Sequence, residues 1–438
     1  VNTLAARILA LKPLHANVVT CKDRTSIRRL AETTFRGDSP LPETVVIDIA
    51  SPSRLLSALC ALDGKVENLA LVSAGTSDME INRRFASFSN FLLISDRPKL
   101  ENAIALEDAL VKYKPLANRR SRWLLSTSGT TSRPKLVAHT FTSLVRTAKT
   151  GDGSSFVWGQ MYDPCRFAGL QVALQALLGG SSLIVPDPEA PLLNRIELLI
   201  RENVNVLSAT PTLWRKILMT KASTRLNLRS VTIGGEIADA RILQALAERF
   251  PSARIRHIYA STEAGTGFSV SDGQPGFPTE FLESGWSGIR MQVKNGELMI
   301  RNNYVEKQYV GGSSVFADES GFVFTGDLVE IRDKRVFFVG RKSGQINVGG
   351  NKVFPERVES ALLDVPGVEL LRAHAVNNPI IGQLVGLDVV LGRGYEVDRV
   401  SADLRSAARE NLTKYERPAR YRFVDEINHS CNGKVIRQ

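Results

Sequence analysis

Residues 123 to 139, WLLSTSGTTSRPKLVAH, hold the densest set of groups in the chain that could do chemistry. Apolar Trp123, Leu124 and Leu125 read as a strand. The chain then enters a run of hydroxyls and glycine from Ser126 to Ser132 and closes it with Arg133, Pro134 and Lys135. Ser126, Thr127, Ser128, Gly129, Thr130 and Thr131 present hydroxyls and backbone N–H groups to one point in space, and Lys135 adds a cation. That donor set suits an anion, most of all a polyphosphate. Gly129 lets the backbone approach without a side chain in the way. The same composition also describes an ordinary polar turn. The loop is not of the G-x-x-x-x-G-K-[ST] type.

Two later stretches carry matching chemistry. A strand at Arg229 to Ile233 ends in Gly234–Gly235, and ligands of open α/β sheets lie in the space beyond such a carboxyl end. Glu236 follows and reads as a helix-start residue before it reads as a catalyst. The next strand runs through HIYASTEAG, residues 257 to 265. There Tyr259 could stack on an adenine, the Thr262 hydroxyl could bond a phosphate oxygen, and the Glu263 carboxylate could hold Mg²⁺. Taken alone, S-T-E is also a common helix-cap string.

The loop resembles the signature of the adenylate-forming superfamily, which holds acyl-CoA synthetases, peptide-synthetase adenylation domains and luciferases. Its usual pattern is [ST]-SGTTG-x-PKG, matched here at Thr127 to Thr131, Pro134 and Lys135. Ser132 and Leu136 stand where the family prefers glycine. The family's Tyr-Gly-x-Thr-Glu is met by Tyr259, Thr262 and Glu263, with Ala260 in place of glycine. The resemblance implies that adenine and the acyl chain lie against Gly234, Gly235, Glu236 and Ala260. It also implies that Asp327 of the T-G-D string receives both ribose hydroxyls, and that Arg341 reaches ribose or phosphate. Gly349–Gly350 would line the channel of the thiol acceptor, and Ser343 stands at the hinge, where the family has Asp or Lys. Near the end, NGKVIRQ matches the family's GK-[IV]-x-R. Lys434 would there bridge the substrate carboxylate and the α-phosphate and offset charge in the transition state.

The acyl pocket is the less legible part. Acyl-CoA synthetases carry Phe-His-x-Ala-Gly-Leu where this chain has Cys165-Arg166-Phe167-Ala168-Gly169-Leu170. Arg166 therefore replaces a histidine, and two readings stay open: it pairs with an acidic group of the substrate, or it faces Asp163. Apolar Phe167 speaks against an α-amino acid, although Asp163 keeps that option open. Leu213 and Trp214 are further pocket candidates.

The elements that would position these groups are those of a layered α/β protein. Residues 1 to 120 alternate strand-like runs (TVVIDIA, NLALVSAG, NFLLISD) with helical stretches such as SRLLSALCALDG. Residues 296 to 340 read as short strands of a small barrel-like subdomain, and the tail as a mobile α+β module. At 438 residues the chain is too long for one ordinary domain. The expected division is a core of residues 1–340, which binds ATP and the acid, and a lid of residues 341–438. Four scattered cysteines without a C-x-x-C pair point to reduced thiols in a cytoplasmic protein. Five scattered histidines offer no metal-ligand spacing. The first residues lack the features of a secretory signal, and no membrane span is expected. The formal charge of +11 invites an acidic partner. With no basic run or zinc finger, nucleic acid is not expected; nucleotide, coenzyme A or an acidic carrier protein accounts for the charge equally well.

Three functions follow. The leading one is an AMP-forming ligase that uses ATP and Mg²⁺ to join a small carboxylic acid to coenzyme A. The second loads an acyl, aryl or amino acid onto the phosphopantetheine thiol of a carrier protein. The third is a nucleotide-binding protein with impaired catalysis, suggested by Ser132, Leu136 and Ala260.

Overall fold

The computed structural model describes residues 2–11, 15–97, 103–115, 119–127, 135–151, 155–312, 314–379 and 381–427. They form two compact units. One takes in residues 1–273, 286–290 and 300–323, the other residues 274–285, 291–299 and 324–438.

The first unit is built on two sheets. Six strands lie in the order Leu136–Thr140, Arg122–Ser126, Asn68–Leu71, Thr44–Asp48, Leu92–Ser95, Ala103–Ile104. All neighbours are parallel except the first pair, an antiparallel hairpin with Leu136 opposite Ser126 and His139 opposite Trp123. The central strands TVVID, NLAL and LLIS are apolar almost throughout and buried, as strands covered on both faces must be. The eight-stranded sheet has a parallel centre that includes Val157–Gln160, Val206–Ala209, Ser230–Gly234 and Arg254–Ser261.

The helix Phe167–Leu178 is apolar all round, and Leu170, Leu174, Ala176, Leu177 and Leu178 have no exposed surface. A helix of that kind belongs inside. Together with Pro52–Leu62 it fills the core that joins the inner faces of the two sheets. The outer faces have their own layers. Leu192–Arg201, Pro211–Met219 and Ala240–Arg249 pack on the larger sheet, and Asp78–Arg84 with Phe85 packs on the smaller one.

Where a small barrel-like subdomain is expected, near residues 296 to 340, the chain forms an open five-stranded sheet ordered Phe277–Pro278, Arg335–Arg341, Val323–Arg332, Glu297–Arg301, Arg290–Lys294. Most of it belongs to the second unit. The unit continues into a second sheet, whose long antiparallel pair Val368–Asn378 and Gly382–Leu391 packs against the helices Pro355–Leu362 and Val397–Asn411. Fully buried Asp388 accepts hydrogen bonds from Arg372 at 2.8 Å and Arg422 at 2.7 Å, so its charge is paired. The boundary expected at 340/341 falls within this unit. No described helix is long and apolar enough to cross a membrane.

Gly340, the last residue but one of the strand Arg335–Arg341, has φ of +150°. A Cβ there would lie 2.6 Å from the Phe354 ring and 2.9 Å from Glu356 Oε2. Both the backbone and the space require glycine. Gly340→Ala is expected to destabilise this unit by about 1–3 kcal/mol. Amide hydrogen exchange of Gly382–Leu391 measures it: protection falls in the variant, and unchanged protection would contradict this packing.

Candidate phosphate-side site

The hairpin Arg122–Ser126/Leu136–Thr140 ends where the hydroxyl-rich loop begins. Thr127 N–H donates to Lys135 O at 2.9 Å, and Lys135 N–H donates to Thr127 Oγ1 at 3.2 Å. The loop is therefore closed at its base by a backbone bond and a side-chain bond. Ser126 and Thr127 are buried. Ser128, Gly129, Thr130, Thr131 and Ser132 lie outside the described residues.

Two arginines reach this base. Arg84, at the end of the helix Asp78–Arg84, donates from Nη1 to Ser126 Oγ at 2.7 Å and from Nη2 to Glu80 at 2.9 Å. Arg166 donates from Nη1 to Ser126 O and Thr127 O, each at 3.3 Å, and from Nε to Ser73 Oγ at 3.0 Å. Its ion pair with Asp163 spans 3.8 Å. The second of the two sequence readings, Arg166 facing Asp163, thus has its contact in the structure. Phe167 is buried, and its ring centre is 5.3 Å from that of His139.

Leu136 fills the place of a family glycine for a packing reason. Its side chain joins the core layer with Val46, Ala70, Val72, Ile81 and Phe85, and its carbonyl accepts from Val310 N–H at 2.9 Å. Lys135 Nζ lies 4.4 Å from the centre of the Tyr309 ring and 3.4 Å from Ser314 Oγ. Tyr309 OH in turn donates to Glu263 Oε1 at 3.3 Å. Burial, with Glu263 beside it, pushes the Tyr309 phenol well above its ordinary pKa, so it stays a donor. Arg83, Arg84, Glu80, Lys135, Tyr309 and Ser314 line a cavity of about 230 Å³ here.

His139 ties the hairpin to the turn that carries Thr262 and Glu263. Its Nε2 lies 2.8 Å from Thr262 O, and its Nδ1 is 3.3 Å from Ser143 Oγ. Burial pushes the imidazole down to about 4, so at neutral pH the ring is uncharged and its Nε2–H donates to that carbonyl. The loop base and the Thr262–Glu263 turn are thereby held together through one side chain. Tyr259 stacks on Phe268, ring centres 5.3 Å apart. Ala260 follows at a register shift in the Arg254–Ser261 strand, pairing with Thr266.

The Gly-Gly turn is also in place. Gly234 O accepts from the buried Tyr162 hydroxyl at 3.3 Å, and Gly235 has φ of +86°. Glu236 does not open the helix after it, which Asp239 caps. Its Oε2 instead accepts from Thr212 N–H at 3.0 Å, in the first turn of the preceding helix, Pro211–Met219, which Thr210 caps.

Within the second unit, Asp327 Oδ1 accepts from Arg341 Nε at 2.8 Å. Glu297 Oε1 accepts from Gly326 N–H at 2.9 Å and fixes the turn of T-G-D. Ser343 is exposed in the short 3-10 turn Lys342–Gly344. Gly349 and Gly350, with φ of +56° and +88°, join the strands Ile346–Val348 and Asn351–Val353. Lys434 lies outside the described residues.

The described residues hold no cluster of three or more His, Cys, Asp or Glu around one point. Magnesium does not need one, because it takes one or two carboxylates and completes its shell with water and phosphate oxygens. Glu263 fits that demand, with only one of its carboxylate oxygens engaged by Tyr309 among the described residues. His139, Tyr162, Tyr309 and Glu297 were not singled out in the sequence. No local pattern marks them, since each acts across a long stretch of chain.

Comparison with known proteins bears on what this arrangement does. The profile of the AMP-binding enzyme family matches residues 77–310, and that of the AMP-binding enzyme C-terminal domain matches residues 357–434. The chain is 27% identical over 338 residues to 2-succinylbenzoate–CoA ligase of Geobacillus kaustophilus, which covers 72% of this chain and 68% of that one. It is 28% identical over 385 residues to 4-hydroxybutyrate–CoA ligase 1 of Metallosphaera sedula, covering 77% and 65%. Among solved structures, o-succinylbenzoate CoA synthetase of Bacillus subtilis in complex with its acyl-adenylate intermediate superposes with a TM-score of 0.75. The match covers 99% of this chain and 97% of that one at 18% identity.

The pH dependence of stability tests the buried histidine. The imidazole binds its proton at about 4 when folded and near 6.5 when unfolded, so its contribution is complete above 6.5 and is lost as pH falls toward 4. His139→Gln keeps an N–H donor without the titration. Thermal melts between pH 7 and pH 4 should show wild type losing roughly 3 kcal/mol more than the variant. Parallel curves would contradict a neutral buried ring.

Proposed function

Because the chain belongs to the AMP-binding enzyme family, within the adenylate-forming superfamily, we propose that it joins a small carboxylic acid to the thiol of coenzyme A in two steps through an acyl-adenylate. In the first, a carboxylate oxygen attacks the α-phosphorus of ATP and pyrophosphate leaves. In the second, the thiol displaces AMP and a thioester forms. The observation that carries the reading is the closed loop base, bonded through His139 to the turn of Thr262 and Glu263. Groups suited to a polyphosphate and a carboxylate suited to its cation are thereby kept side by side.

Each residue's part follows from its chemistry. Ser126, Thr127 and Lys135 bound the loop that receives the phosphates, with Ser128, Gly129, Thr130 and Thr131 as its donors. The Thr262 hydroxyl bonds a phosphate oxygen. Mg²⁺ held by Glu263 supplies charge neutralisation at the phosphates. Tyr259, Gly234, Gly235 and Ala260 bound the adenine and acyl side, Glu236 shaping that turn through its bond to Thr212 N–H. Asp327 and Arg341 form the ribose pair, and Lys434 brings the ammonium that offsets charge in the first step. The carboxylate of Asp327 is held at Oδ1 by Arg341 Nε at 2.8 Å, which orients it. Residues from 341 onward act as a lid that pivots near Ser343, and Gly349–Gly350 line the thiol path.

ATP–pyrophosphate exchange over a panel of carboxylic acids tests the first step. At least one acid should support exchange, and Lys434→Ala should lower it by about a thousandfold or more. The same variant should keep thioester formation from supplied acyl-AMP. Equal loss of both halves would overturn the lid assignment, and no exchange with any acid would leave a nucleotide-binding protein with impaired catalysis. Thioester formed on free coenzyme A supports the acceptor named above, and thioester formed only on a phosphopantetheinylated carrier replaces it.

A further inference from the structure

Arg166 stands where acyl-CoA synthetases carry a histidine beside the acyl pocket, yet its guanidinium reaches the base of the phosphate loop. It is the N-cap residue of the buried helix Phe167–Leu178, and its carbonyl accepts from Leu170 N–H at 2.8 Å. The turn before it is tightly held. Arg166 N–H donates to Asp163 O at 3.0 Å, and Cys165 N–H donates to Asp163 Oδ1 at 2.9 Å. Gln160 Nε2, buried, donates to Tyr162 O at 2.8 Å and Gly169 O at 3.1 Å. Gly169 leaves no room for a side chain, since a Cβ would lie 2.0 Å from Asp163 O. The root of the guanidinium is therefore fixed before any ligand arrives.

From that root, Nη1 spans the carbonyls of Ser126 and Thr127, each 3.3 Å away. These are the last two carbonyls before the phosphate loop. Nε is oriented by Ser73 Oγ at 3.0 Å, whose own hydroxyl donates to Asp163 Oδ2. The positive charge is already offset by Asp163, so an anionic group on the acid would meet a neutral pair. A planar guanidinium can hold two neighbouring carbonyls and a hydroxyl at once. An imidazole is shorter, has two nitrogens and cannot cover that set.

We infer that Arg166 is a positioning residue of the phosphate loop and takes no part in recognising the acid. The inference rests on the ligase reading for its name, but it is tested on nucleotide binding as well as on turnover. Arg166→His, which restores the family residue, and Arg166→Gln should each weaken Mg·ATP binding and raise the KM for ATP by about tenfold. The KM for the acid should move less than about threefold. Ser73→Ala, a milder change that removes only the acceptor orienting Nε, should shift the ATP parameters in the same direction by a smaller factor. It keeps the test alive where an Arg166 variant folds poorly. A rise in the KM for the acid with ATP binding unchanged would overturn the inference and make Arg166 an acid-recognising group. So would unchanged ATP parameters in all three variants. The two readings fail separately. Wild type that binds Mg·ATP but exchanges with no acid sinks the ligase assignment, while the comparison of Arg166 variants is still read from binding. Wild type that turns over beside Arg166 variants of full ATP affinity sinks only the inference.

Discussion

The carbonyls of Ser126 and Thr127 sit where a buried parallel strand runs out of ladder, and they must find donors there. A buried backbone acceptor left without a partner costs roughly 1–3 kcal/mol, more than the usual net worth of one hydrogen bond. The chain meets that demand with Arg166 and sets Arg84 on the neighbouring Ser126 hydroxyl. Arg84 ends a helix packed on the strand's own sheet and Arg166 opens the buried helix between the two sheets, so the helical layers fix where the cations stand. The loop that follows starts and ends at one place because Thr127 and Lys135 close on each other.

From this base the rest of the site is reached through single side chains. His139 carries the register of the hairpin to the Thr262 carbonyl, and Tyr309 links Lys135 to Glu263. In each link the bridging side chain itself carries no charge. The histidine is neutral and the phenol protonated, which suits a place where a polyanion and its cation will bring the charge. In the second unit a separate pair, Asp327 and Arg341, faces each other across adjacent strands and is set by a turn that Glu297 holds.

Much of this was readable from the sequence, and the reason is local. The strands around residues 44, 68 and 92 and the helices Pro52–Leu62 and Phe167–Leu178 announce themselves by unbroken apolar runs, caps and glycine stops. Ser126, Gly234 and Arg341 each sit at the end of a strand, so those motif positions follow the strand order. What was not readable depends on contacts far apart in sequence. His139 and Thr262 are 123 residues apart, Arg84 and Ser126 are 42 apart. Glu236 reads as a helix-start residue, yet it starts no helix: Asp239 caps the one after it, and the Glu236 carboxylate instead meets Thr212 N–H in the first turn of the helix before it. Leu136 reads as a departure from the family's glycine until its side chain is found in the core with Phe85. For Arg166 the sequence left two partners open, and only the packing of its helix decides which oxygens the guanidinium meets.

The claim beneath the whole account is that the closed base of the loop holds a triphosphate. The most direct measurement is calorimetric titration of a non-hydrolysable ATP analogue with Mg²⁺ into wild type and into Thr127→Val, which removes the oxygen that accepts Lys135 N–H and keeps the side chain's shape. The account predicts one-to-one binding to wild type, and an affinity lower by about tenfold in the variant with AMP affinity little changed. Equal affinity for the triphosphate in both proteins, or loss of AMP and triphosphate in equal measure, would contradict it.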